Sequence, residues 1–141
     1  MKMGHIYADL ELVNSFDLEL FLEGRLAEDN VRKVNVRAMV DTGAWTLAIN
    51  EEIQKQLNLR VKRKSPATLA DGSIMDLEVV GPVEVRFQNR ETTVDAVVLP
   101  GNSEVLLGAI PLEGMDVLID PRNEQLIVNP AHPNRAQFKL K

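Results

Sequence analysis

The 141-residue chain has no cysteine, two histidines and only 4% aromatic residues. Without cysteine there are no disulfides, thiol nucleophiles, iron–sulfur clusters or thiolate zinc sites. With His5 and His132 alone, neither a histidine-based metal cluster nor a Ser–His–Asp triad is expected. Basic residues are the minority, 16 against 21 acidic, for a formal net charge of −5. That balance argues against a nucleic-acid partner, which needs a basic face. No apolar run approaches the ~18 residues needed to span a bilayer. The opening MKMGHIYADLEL lacks the unbroken apolar stretch of a secretory signal. The expectation is a soluble cytoplasmic protein with no membrane partner, no metal and no cofactor. Any chemistry should rest on carboxylates.

The 45% of apolar residues suffices for a core, and the length fits one domain over residues 1–141. Its body is expected at about 5–130, with 131–141, marked by Pro130 and Pro133, as a loose tail. Strand periodicity dominates. Ile6, Ala8, Leu10 and Leu12 alternate with polar residues, and Phe16, Leu18, Leu20 and Leu22 repeat the pattern after Asn14-Ser15. Residues 5–23 therefore read as a hairpin. Val34, Val36 and Ala38 form another strand that runs through Met39-Val40 into Asp41-Thr42-Gly43. Asn50 can cap a short helix whose Glu51 and Glu52 suit the positive end of its dipole. Arg60–Lys64 is a basic cluster expected on a solvated loop or edge strand, where lysine discourages aggregation. Asp71-Gly72 signals a hairpin between 66–70 and 73–80. Gly81-Pro82 punctuates a longer sheet segment, and Thr92–Leu99 forms a further strand. Val105–Leu107 is a short buried run, Ala109–Met115 a brief helix with Pro111 near its start. Val117, Ile119 and Leu126–Val128 close the chain as strands. Many short strands and two short helices suggest an all-β antiparallel barrel or sandwich.

Asp41 follows an apolar strand directly, with a small hydroxyl residue and a glycine behind it. A bare Asp-Thr-Gly occurs by chance in roughly one chain in fifty of this size, and most aspartates at strand ends form turns. Met39 and Val40, however, set this carboxylate beside core residues, where burial of charge needs a partner or a purpose.

Asp41-Thr42-Gly43-Ala44, the Asp71-Gly72 hairpin about thirty residues on, and Val105-Leu106-Leu107-Gly108 further along together resemble the retropepsin-like aspartic proteases, the retroviral enzymes and their cellular relatives. The resemblance covers about residues 5–130. It implies a single-domain closed β barrel with one or two short helices, completed as a homodimer, and an aspartic endopeptidase acting on extended peptide or protein substrates. It makes Asp41 the catalytic aspartate, Thr42 a brace across the two-fold axis and Gly43 a main-chain contact to substrate. Ala44 matches the retroviral form of the motif. Ala70, Asp71, Gly72 and Ser73 would form the tip of a flap closing over the peptide, with Ile74 beside it. Leu106-Leu107-Gly108 would support the catalytic loop from beneath. Trp45, Leu47, Ile74 and Leu99 are candidate pocket walls. Retroviral flaps are richer in glycine, and the segment before the motif is shorter in the retroviral enzymes.

The chain holds one Asp-Thr-Gly; Asp29, Asp95, Asp116 and Asp120 lie in other contexts. Aspartic proteolysis needs two carboxylates, one ionised and one protonated. The second is therefore expected from an identical chain across a two-fold axis. Two other readings are a non-proteolytic peptide-binding or dimerisation module on the same fold, and an unrelated small β barrel that binds a ligand.

Overall fold

The computed structural model describes residues 5–140. Nine strands and three short helices are assigned among them: β1 (Tyr7–Asn14), α1 (Ser15–Leu22), β2 (Lys33–Val40), β3 (Leu47–Asn50), α2 (Glu51–Leu57), β4 (Arg60–Thr68), β5 (Ile74–Phe87), β6 (Arg90–Leu99), β7 (Leu106–Leu107), α3 (Ala109–Met115), β8 (Val117–Asp120) and β9 (Gln125–Val128). Seven strands form one sheet in the order β1-β2-β7-β3-β6-β5-β4, and β1 pairs additionally with β5. That pairing joins the first strand of the order to its sixth and leaves β4 outside the ring. β8 and β9 pair separately.

The expected strand over 16–22 is helix α1. Its Phe16–Leu22 alternation matches a strand, but β1 already pairs with β2 over residues 7–13 and with β5 over residues 11–14. No edge of β1 remains for a hairpin partner next to residues 11–13. Asn14 meanwhile starts a helix, its side chain accepting from Asp17 N–H. Phe16 and Leu22 end up exposed, at 63% and 67%. Asp17 is buried and accepts from Arg32 N–H at 3.0 Å, which ties α1 to the chain entering β2.

Antiparallel pairing is also not universal. β2 runs parallel to β7, and β3 parallel to β6. β7 lies between β2 and β3, where Met39 faces Leu106 on one side and Ala48 faces it on the other.

The α2 and α3 expectations agree with the fold. Asn50 Oδ1 accepts from Ile53 N–H at 2.9 Å, and its amide donates to Ser103 O at 2.8 Å, linking the α2 cap to the loop after β6. The main core gathers the inward residues of β1, β3, β5 and β6, among them Leu12, Leu47, Ile49, Val83, Val85 and Ala96, all fully buried. A second, smaller cluster lies under the β4–β5 hairpin: Ala48, Ala67, Leu77, Val79 and Val97.

The segment after β9 turns back over the body. His132 Nδ1 lies 2.7 Å from Asp116 Oδ2, and Gln137 N–H donates to the same oxygen at 3.0 Å. Asn129 Nδ2 donates to Asp116 Oδ1 at 3.0 Å, and the buried Arg90 guanidinium donates to His132 O. Within the expected loose tail, 131–141, His132 and Gln137 are thus held at one carboxylate, together with Asn129 just before it.

Candidate active site

β2 ends where the chain meets β7. Asp41 N–H donates to Leu107 O at 3.0 Å, so the first residue of the Asp-Thr-Gly turn is fixed by the strand beneath it. The turn folds on itself: Asp41 Oδ1 accepts from Gly43 N–H at 2.9 Å, and Ala44 N–H donates to Asp41 O at 3.1 Å. This is the local bonding an aspartate makes in a turn. Here it also orients the carboxylate.

The far side of the loop rests on α3. Ala109 N–H donates to Ala44 O at 2.8 Å, and Ile110 N–H to Trp45 O at 3.0 Å. Gly108 makes this contact possible, since a Cβ there would stand 2.3 Å from Thr46 O and 2.5 Å from Ala44 O. Thr46 Oγ1 then donates to Asp95 O at 2.9 Å, clipping the end of the loop to β6. Leu107-Gly108 therefore underpins residues 41–46 from below.

Above the loop stands the β4–β5 hairpin, registered from Thr68↔Ile74 to Arg60↔Gly81 with a bulge between Val61 and Arg63. Its turn is closed by Leu69 N–H to Ser73 O at 2.8 Å and Gly72 N–H to Leu69 O at 2.9 Å. The hydroxyl and N–H of Ser73 both donate to Asp71 Oδ1, at 2.6 and 2.9 Å, and hold the Asp71 carboxyl below its ordinary range.

Between hairpin and loop lies a cavity of about 390 Å³ that Asp41, Gly43, Ala44 and Ala70 line, with Leu77 and Leu99 among its apolar walls. Its floor is the smaller apolar cluster beneath the hairpin. Of the residues expected at the site, Asp41, Gly43, Ala44, Trp45, Ala70 and Leu99 thus share one cavity. Thr42 is exposed and lies off this lining, as are Asp71, Gly72 and Ser73 at the hairpin tip. Two of the expected wall residues, Leu47 and Ile74, are not on this lining. Leu47 is fully buried, since the first three residues of β3 all pack inward, on one face or the other of the strand. Ile74 is 74% exposed and is not among the lining residues.

Leu69, Leu77, Val97 and Leu106 also line the cavity, unforeseen from the sequence. A signal existed for two of them: on the inner face of a hairpin Ala67 and Leu69 alternate in step, as do Leu77 and Val79. Among the described residues, no group of three or more His, Asp or Glu is placed to hold a metal ion. No helix among them is long and apolar enough to cross a membrane.

A family model described as "gag-polyprotein putative aspartyl protease" matches residues 28–118, more than half of the chain and the whole stretch from before Asp41 to beyond α3. The chain belongs to this retroviral-type aspartyl protease family. The retroviral protease-like domain of Ddi1 from Leishmania major is similar in structure. The TM-score is 0.56 over 92% of this chain and 91% of that one, at 15% sequence identity. No curated protein sequence matches the chain. The family assignment and the shared fold agree with a mostly β retropepsin-like domain carrying a few short helices.

Proposed function

We propose that the protein is an aspartic endopeptidase, with Asp41 as half of a catalytic dyad completed by Asp41 of a second copy. The observation that carries this reading is the position of the carboxylate. Asp41 lines a largely apolar cavity together with residues of the β4–β5 hairpin and is oriented by Gly43 N–H. One carboxylate alone cannot both take a proton from water and hydrogen-bond the scissile carbonyl. Two of them about 3 Å apart do not both ionise; they share a proton. An isologous dimer supplies that pair from one motif.

In the reaction the ionised carboxylate takes a proton from water, and the resulting hydroxide adds to the peptide carbonyl carbon. The protonated partner gives its proton to the carbonyl oxygen. The tetrahedral intermediate collapses as the amide nitrogen takes a proton from one carboxyl and leaves as an amine, while a hydroxyl of the intermediate returns its proton to the other carboxylate and the acid product forms. Thr42 braces the two loops across the axis, and Gly43 offers main-chain contact. The peptide lies extended between hairpin and loop, held largely by main-chain hydrogen bonds. Ala70, Asp71, Gly72 and Ser73 close over it.

The test is incubation with unstructured peptides at pH 4–7, with and without a transition-state mimic such as pepstatin. Cleavage that disappears in Asp41→Asn, with the dimer intact by sedimentation, supports the enzyme. Full activity in Asp41→Asn overturns it. One observation favours the second reading, a peptide-binding module without hydrolysis: the hairpin tip is closed on itself by the Asp71–Ser73 bonds and carries a single glycine, Gly72. Tight peptide binding with no cleavage at any pH in that range is the outcome it requires.

A further inference from the structure

β4 carries Arg60, Lys62, Arg63 and Lys64, all exposed, in a chain whose net charge is −5. As the last strand in the sheet order, β4 has its outer edge unpaired among the described residues. Cations on an open edge ordinarily serve to discourage strand addition. Two features give Lys62 and Arg63 a more specific position.

The first is the bulge. In a regular strand consecutive side chains point to opposite faces. The register shift between Val61 and Arg63 interrupts that alternation, as bulges do where a side chain is re-aimed. Lys62 reaches Asp95 on β6, with Nζ 2.8 Å from Oδ1, and Arg63 lines the same cavity as Asp95.

The second is the cavity itself, about 480 Å³, bounded by Arg63 and Ser65 on the hairpin and by Trp45, Asp95 and Ile110 opposite. It shares Trp45, Thr46 and Val97 with the cavity at Asp41, so the two adjoin along these residues. The only acid on its lining, Asp95, is already engaged by Lys62. Arg63 has no carboxylate within 4.0 Å among the described residues. The uncommitted charge facing this space is a guanidinium.

We propose that this second cavity is a subsite for an acidic side chain, with Arg63 as the specificity-determining residue. An extended peptide with apolar residues over the cavity at Asp41 would place an Asp or Glu a few positions away, past Trp45 and against Arg63. A guanidinium matches a carboxylate with two parallel N–H donors, and the half-open setting strengthens the pair over one in bulk water. The remaining cations of β4 extend the attraction along the approach path. This inference rests on the peptide-binding part of the reading above and not on hydrolysis.

Binding is measured in the Asp41→Asn protein, using Trp45, the single tryptophan, as the fluorescent reporter. The probes are decapeptides with a Leu-Phe centre, each with one Glu moved through the flanking positions, and the matching peptides with Gln in its place. At one position, Glu should bind about 5- to 10-fold tighter than Gln at low salt, and the ratio should shrink as salt is raised. Arg63→Gln should bring that ratio close to one, and Arg63→Glu should invert it in favour of Lys. Both changes are at an exposed residue, and circular dichroism checks that the fold is intact. A Glu preference that survives Arg63→Gln, or no position with a Glu preference, overturns the proposal. Cleavage assays of the unsubstituted protein separate the two readings. An acidic preference without cleavage sinks the peptidase alone, and cleavage without that preference sinks the subsite alone.

Discussion

Gly108 and Thr46 meet backbone to backbone: a Cβ at 108 would lie 2.3 Å from Thr46 O and 2.8 Å from Thr46 N. Neither neighbour is the end of a flexible side chain, so neither can swing aside. Gly108→Ala must push the 41–46 loop off α3 and break the Ala109-to-Ala44 and Ile110-to-Trp45 bonds with it. The expected loss is about 3 kcal/mol or more, the upper end of overpacking costs. Urea unfolding checks it. A loss below about 1 kcal/mol would mean that the loop does not rest on Gly108.

Two asparagines cap helices while bridging to distant chain, and their burial ranks their importance. Asn14, 4% exposed, accepts from Asp17 N–H and donates to Leu57 O at 3.0 Å. Asn50, half-buried, does the same for Ile53 and Ser103. Asn→Asp keeps the cap acceptor and removes the cross-link donor. At position 14 it also buries a charge facing a carbonyl, so Asn14→Asp should cost about 2–3 kcal/mol. Asn50→Asp, with solvent at hand, should cost under about 1 kcal/mol. Thermal unfolding of the two variants side by side gives the ranking.

Asp116 governs the segment after β9. Its carboxyl is held down to about 2, from 3.8, chiefly by Gln137 N–H and then by the Asn129 amide, with His132 adding to both. A carboxylate whose folded pKa is lowered contributes stability above its unfolded pKa and loses it as pH falls through the folded value. The clasp should therefore be intact at pH 5 and above. It should loosen between about pH 4 and pH 2, which faster amide exchange at Gln137 would report. Asp116→Asn should show the loosened exchange at neutral pH and little further change on acidification. Unchanged protection of Gln137 across that range would contradict the assignment.

What sequence reading could and could not see follows the range of the forces involved. The α2 cap at Asn50, the Asp71-Gly72 turn and the alternation of Leu10 and Leu12 are local signals, and the fold agrees with each. α1 escaped because Phe16, Leu18, Leu20 and Leu22 satisfy a strand pattern, while the deciding fact is that β1 has partners on both edges. Leu47 was a candidate wall residue, yet β3 is buried on both faces. The parallel pairing of Met39 with Leu106 joins residues too distant for any periodicity to relate. The Asp-Thr-Gly motif was legible as a motif. Its cavity was not, because Leu77, Leu99 and Leu106 come from three strands. His132 carried no local signal at all, and its place beside Asp116 exists only once β9 and α3 are packed.

Gly43 gives the most discriminating test of how the motif orients its acid. A Cβ at position 43 would lie 3.1 Å from Asp41 Oδ1, tighter than ordinary van der Waals contact. The carboxylate must yield by a few tenths of an ångström, and the 2.9 Å bond from Gly43 N–H that orients it must lengthen or bend. Nothing else lies within 4 Å of that Cβ, and residue 43 is exposed. Stability should therefore change by less than about 1 kcal/mol in Gly43→Ala. Activity should respond differently, since a catalytic group displaced by a fraction of an ångström loses much of its positioning advantage. If Asp41 acts as proposed, kcat should fall about 10- to 100-fold with Tm nearly unchanged. Gly72→Ala is the comparison in stability alone. Its φ of +86° strains any side chain, but a Cβ there meets nothing within 4 Å, so its cost of about 1 kcal/mol falls on the hairpin tip and not on the acid. A peptidase rate that survives Gly43→Ala intact would show that the Gly43 N–H does not set the orientation of Asp41.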